Sequence, residues 1–197
     1  MPFQNISSLN SAAVGSTNYF VDANVWIYSL QSFGELENWK ANYYTFFYDI
    51  IESNLDPQPK IIVPALLLSE IVNTFLRQIA IPEYKLSMGI DAKDKFDFKR
   101  GYRHTAHHKD SFERIMDDIG GLHSSLLFLD DSGIVGKPSL LLNKSIGSID
   151  YNDYLYYSLC KEFSKKDGVV ILTNDGDFVV DDLPIITLNR NLLGLRS

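Results

Sequence analysis

Short, continuously apolar runs alternate along this chain with longer stretches in which apolar residues recur at helical spacing. "YFV" at 19–21 is the first run, followed by "IIV" at 61–63, "VVIL" at 169–172 and "PIIT" at 184–187. Val25, Trp26 and Ile27 also read as strand, beyond an interruption formed by Asp22 and Asn24. Between the runs, "ENWKANYYTFFYDIIES" sets Trp39, Tyr43, Phe46, Phe47 and Ile50 at helical spacing. "ALLLSEIVNTFLRQI" follows the second run, and Pro64 suits the first turn of its helix because its missing N–H would be unpaired there. A polar, charged segment extends from Pro82 to about Arg100, and a long helix then carries Phe112, Ile115, Met116 and Ile119 on one face. "LLFLDD" (126–131) reads either as a strand or as the end of that helical region. "SIDYNDYLYYSLCKEFSKK" is a helix, with Leu155, Leu159 and Phe163 at i, i+4 and i+8.

Strands that are apolar throughout, alternating with helices, predict a parallel sheet covered on both faces. The expected class is α/β, a three-layer α/β/α arrangement around a central parallel sheet. With 197 residues, 45% of them hydrophobic, the chain is long enough for one well-buried core. Residues 1–18 are small and polar and read as a loose tail. Residues 19–197 read as one domain with a helical, locally basic elaboration around 82–145.

In open parallel sheets, ligands bind beyond the C-terminal strand ends, and the acids of this chain fall there. Asp22 closes the first strand. Asp175 lies just past "VVILTN", with Asp177 two residues on. Glu70 sits about two turns into its helix, surrounded by Leu66, Leu67, Leu68, Ile71, Val72 and Phe75, where an acid needs a partner or a cation. Asp150 and Asp153 begin the tyrosine-rich helix. Each position has an alternative: Asp22 as a turn residue or cap, Asp150 as the N-cap of its helix, Asp177 as a turn residue beside Gly176. Taken together, four acids converging at one sheet edge require neutralising cations. Oxygen-only donors favour Mg²⁺ or Mn²⁺ over Zn²⁺, and such a site suits phosphodiester hydrolysis by activated water.

The segments "FVDANVWI", "LLLSEIVN", "DYNDYLYYSLC" and "ILTNDGDF" resemble, in this order, those of the PIN-domain family. These are metal-dependent ribonucleases that include VapC-type toxins of toxin–antitoxin pairs. The resemblance spans residues 20 to 178, and "TNDGDF" is its most specific part. It implies that Asp22, Glu70, Asp153 and Asp175 form the catalytic, metal-holding quartet, with Asp177 an accessory metal ligand. It also implies supporting roles for Asn24, Thr173 and Asn73, and Asp150 beside Asp153 is a further supporting candidate. RNA is the implied substrate and an antitoxin the implied partner. The chain departs from small toxin-like members in its N-terminal tail and around 82–145. An alternative enzyme is a phosphatase of the haloacid-dehalogenase type with Asp22 as nucleophile, although Asn24 stands where that family usually has a second Asp. A third reading is a PIN-like domain that binds RNA or protein with an idle metal site.

Net charge is −7, which creates no general attraction for nucleic acid. Charge is uneven, however: Lys93 to Arg114 holds seven Lys/Arg against four Asp/Glu. On one continuous helix, Arg100, Arg103, His107 and Arg114 would form a stripe opposite Phe112, either an RNA-backbone track or a solvated face. His104, His107 and His108 lack the second pair or cysteine that a zinc site needs. Cys160, the one cysteine, excludes a disulfide framework and reads as a small buried hydrophobe. "YYTFFY" shows aromatic residues on more than one helix face, which offers an interface for a second copy or a regulatory peptide. The N-terminus lacks a basic start and an apolar core, and no run is long enough to span a bilayer. The expectation is a soluble, cytoplasmic protein.

Overall fold

The computed structural model describes residues 6–31, 36–132, 137, 139, 149–178, 180 and 182–194. Its strands are β1 (Ile6–Ser8), β2 (Asn18–Val21), β3 (Ile61–Pro64), β4 (Leu126–Leu129), β5 (Val169–Leu172) and β6 (Ile185–Thr187). They form one sheet in the order β1-β6-β5-β2-β3-β4, parallel throughout. The helices are α1 (Ala23–Ser29), α2 (Asn38–Ile51), α3 (Ala65–Phe75), α4 (Ile81–Ser87), α5 (Ala106–Gly121) and α6 (Tyr151–Ser164).

β2 is central, with Tyr19 opposite both Ile61 and Val170. Its alternating side chains reach opposite layers. Tyr19 meets Phe46 of α2 edge-on at 6.0 Å, while Phe20 packs on Tyr156 of α6 at 5.2 Å. The three-layer architecture follows from that alternation. Side chains such as Phe20, Trp26, Phe47 and Ile62 are wholly buried, each contributing about 1.5–3 kcal/mol of hydrophobic stabilisation.

Val25, Trp26 and Ile27 are not a strand but the middle of α1. All three are buried, and Trp26 meets Phe47 of α2 at 4.9 Å. Packing against α2 and α3 overrides the β preference of this short run, which periodicity alone does not resolve. The supposed N-terminal tail contributes the edge strand β1, paired with β6 from Ile6 to Ser8, and Leu9 behind it is buried. The "LLFL" run is β4.

The elaboration after Pro82 belongs mainly to the β3–β4 crossover, and residues 133–136, 138 and 140–145 of it lie outside the described residues. The helical run of α3 continues through a π turn (Leu76–Ala80) into α4, and a second π turn (Phe98–Tyr102) precedes α5. Thr105 caps α5 by accepting the His108 N–H at 3.1 Å, which breaks the continuous helix expected from 100 onward. Arg100, Arg103, His107 and Arg114 therefore share no single stripe. His107 is half-buried against Tyr102, whose hydroxyl lies 2.9 Å from its Nδ1, and Arg114 pairs with Glu83 at 2.8 Å. The apolar face of α5 is split as well: Ile115 and Ile119 are buried, whereas Phe112 and Met116 are exposed beside Leu68 and Val72. Lys85, within the segment read as polar and charged, is buried and donates to the Asp91, Ala92 and Asp94 carbonyls.

On α2 the aromatic residues are absorbed by the core or by each other. Tyr43, Phe46 and Phe47 are buried and Tyr44 stacks on Tyr48, while Asn42, Thr45 and Asp49 occupy the exposed face. Among the described residues of this helix no aromatic side chain is fully exposed. Cys160 is buried. Among the described residues no helix is long and apolar enough to cross a membrane.

Candidate active site

The sheet order reverses between β2 and β5, so their C-terminal ends open the crevice where ligands bind in such folds. Asp22 stands at this point. Its N–H donates to the Leu172 carbonyl at 3.0 Å, extending the ladder as far as the acid. Its backbone is extended, and its side chain does not cap α1. One carboxylate oxygen instead accepts the Thr173 hydroxyl at 2.9 Å, and that same hydroxyl accepts the Asp175 N–H at 2.9 Å. Thr173 thus ties the two strand ends together.

Three further acids act on this point. Asp22, only 6% exposed, has its pKa raised to about 6, first by burial and then by the negative charges of Asp175 and Glu70. Asp153, on the first turn of α6 and 8% exposed, is raised to about 8 by burial and by repulsion from Asp22, Asp175, Asp150 and Glu70. Asp22 acts on Asp153 because it ionises first and is already charged when Asp153 gives up its proton. The four charges acting most strongly on Asp153 are all acidic. Glu70, half-buried on α3, accepts the Tyr156 hydroxyl at 2.5 Å. The fold therefore brings Asp22, Glu70, Asp153 and Asp175 into one electrostatic cluster from four separate elements.

The other expected residues divide. Asp150 is the N-cap of α6, accepting the Asn152 N–H at 3.2 Å, and contributes only its charge. Asp177 is exposed, and its N–H donates to the Asp175 carboxylate at 2.9 Å. It is not among the main charges raising Asp22 and Asp153. Asn24 is half-buried on the first turn of α1. Asn73 is exposed one turn beyond Glu70 and donates to the Ser69 carbonyl at 2.8 Å.

Three tyrosines escaped the sequence reading. Tyr156 follows Asp153 by three residues, a same-face spacing, and burial followed by its contact with Glu70 pushes its pKa up. Burial also raises Tyr28 and Tyr43, with a smaller contribution from the Asp22 charge. The Tyr43 hydroxyl lies 3.1 Å from both the Thr173 carbonyl and the Asn174 amide oxygen, and accepts the Leu188 N–H at 2.6 Å. Tyr43→Phe leaves these buried groups without their partner, and a loss of about 1–3 kcal/mol is expected. The measurement is a melting temperature roughly 2–10 °C lower; an unchanged value would remove Tyr43 as the anchor of the 173–175 segment.

The chemistry of the donor set fits a hard divalent cation, since buried carboxylates surrounded by like charge need positive charge nearby. Among the described residues, however, no three His, Cys, Asp or Glu side chains close on a single point as a ready-made metal site. That holds for His104, His107 and His108 too. No family model, curated protein or solved structure matches the chain.

Proposed function

We propose that this protein is a Mg²⁺- or Mn²⁺-dependent endoribonuclease of the PIN type, with Asp22, Glu70, Asp153 and Asp175 holding the ion or ions. The supporting observation is the pair of buried acids, Asp22 and Asp153, raised by two further carboxylates at the topological switch point. A cation bound there would neutralise phosphate charge and acidify an attacking water. Thr173 holds the Asp22 carboxylate in one orientation, and Tyr156 does the same for Glu70. A covalent phosphatase mechanism is less well supported, because Asn24 stands where that family usually has a second Asp.

The test is incubation of total cellular RNA with the purified chain in Mn²⁺ and, in parallel, in EDTA. Discrete fragments in Mn²⁺ alone are expected, and their ends would identify the substrate. Intact RNA in both lanes, across substrates of every structural class, would overturn the proposal.

A further inference from the structure

Beside the acidic cluster an open cleft of about 410 Å³ runs along α3. Glu70 and Tyr156 line it on the cluster side, together with Asn152 of α6. Ser69 and Asn73 continue it, and Arg77 lines it as well. Glu70, Asn73 and Arg77 are spaced i, i+3 and i+7, so helical geometry alone places them along one face. Arg77 lies seven residues beyond Glu70, about 10 Å along the helix axis, at the π turn that interrupts the run into α4.

Arg77 is the one cationic side chain among the described residues lining this cleft. It is exposed and forms no ion pair among the described residues, unlike Arg114 nearby on α5, which is bound to Glu83. Its guanidinium sits 5.8 Å over the Phe98 ring, and Arg103 approaches the same ring at 5.6 Å. A guanidinium placed over an aromatic face keeps its N–H donors available. Apart from Glu70, the remaining polar lining is neutral amide and hydroxyl, the functional groups that meet ribose hydroxyls and base edges.

We infer that this cleft is the path of the RNA strand and that Arg77 clamps a backbone phosphate neighbouring the bond that is cut. The inference rests on the nuclease reading for the position of that bond. It explains how a strand approaches a group of carboxylates: the phosphate beyond the cluster finds an unpaired guanidinium. Arg77 is a binding and positioning group, not a member of the hydrolytic machinery.

The experiment measures anisotropy of a short, mixed-sequence, fluorescein-labelled single-stranded RNA in Mn²⁺, on an Asp22→Asn background to prevent cleavage. Adding Arg77→Ala is expected to raise Kd about tenfold or more and to flatten the log Kd against log salt slope by about 0.7, the loss of one phosphate contact. Arg77→Lys should restore the slope and only part of the affinity, since it keeps the charge and loses the planar fork. In cleavage by the chain with native Asp22, Arg77→Ala should raise KM more than it lowers kcat. Unchanged Kd and slope in Arg77→Ala would overturn the inference while leaving RNA cleavage by the wild type, and hence the nuclease, intact. The expected loss of binding in a protein that never cleaves RNA would support the cleft and overturn the nuclease. No RNA binding by the Arg77-containing chain would overturn the cleft.

Discussion

Asp22→Asn is expected to lower RNA cleavage in Mn²⁺ by at least about 100-fold while leaving the metal-free chain as stable as the wild type, or more so. Loss of a group that merely supports a metal ligand typically costs 10–100-fold, and removing a ligand itself should cost no less. The stability half of the prediction comes from burial. Asp22 is held among Asp175 and Glu70 with no basic side chain among its main influences, so its ionised form is a liability in the metal-free fold. Asparagine has the same shape and keeps an oxygen for the Thr173 hydroxyl, now 2.9 Å from the carboxylate. Asp153 should also ionise at lower pH in the variant, since Asp22 is the largest charge acting on it. Activity in Mn²⁺ and thermal melting in EDTA check the two halves. Undiminished cleavage would sink the role of Asp22, whereas a large drop in melting temperature would make the residue structural.

The strands of the sheet centre can be read directly because a parallel strand covered on both faces must be apolar throughout, as "IIV" and "VVIL" are. Where a short run is equally compatible with two periods, reading fails: Val25 to Ile27 pack as a helix because α2 and α3 cover them, a tertiary fact that no local pattern contains. The edge strand is invisible for the opposite reason, since "ISS" carries almost no apolar signal and forms only because β6 offers it a partner.

The acids show the same limit at finer scale. Asp22 and Asp131 each follow an apolar strand and look alike in sequence. Asp131 turns out to cap α3, accepting the Ala65 and Leu66 N–H groups at 3.1 and 2.9 Å, while Asp22 caps nothing. What separated them beforehand was company: Asp22 belongs to a set of segments whose acids all face one strand edge. The tyrosines that position the cluster could not be separated from core aromatics in this way, although the three-residue spacing of Asp153 and Tyr156 was a usable signal. The basic stripe failed because a wheel assumes one continuous helix, and Thr105 starts a new one.

The metal-free chain is expected to lose stability as the pH rises from about 5 to 8, and Mn²⁺ is expected to restore it at pH 8 but hardly at pH 5. Asp22 and Asp153 hold their protons more tightly in the folded chain, at about 6 and about 8, than at the ordinary carboxyl value of 3.8. Across that interval the folded state therefore carries more protons than the unfolded state, and stability must fall with rising pH. For Asp22 alone the whole shift from 3.8 to about 6 corresponds to roughly 3 kcal/mol, a little under half of it lost above pH 5, and the later ionisation of Asp153 beside a charged Asp22 is the more costly of the two. His108, whose pKa burial lowers, adds a slope of opposite sign below about pH 6.5. It is retained in Asp153→Asn, so the wild-type curve minus the variant curve isolates the carboxyls. A cation that binds the ionised pair adds about 2.7 kcal/mol at a hundredfold excess over its Kd, or roughly 5–10 °C in melting temperature for a chain of this size. Melting curves at pH 5 and pH 8, with EDTA and with Mn²⁺, decide the matter. Equal Mn²⁺ shifts at the two pH values, or an EDTA curve whose pH slope survives Asp153→Asn unchanged, would show that these acids are not the cation site.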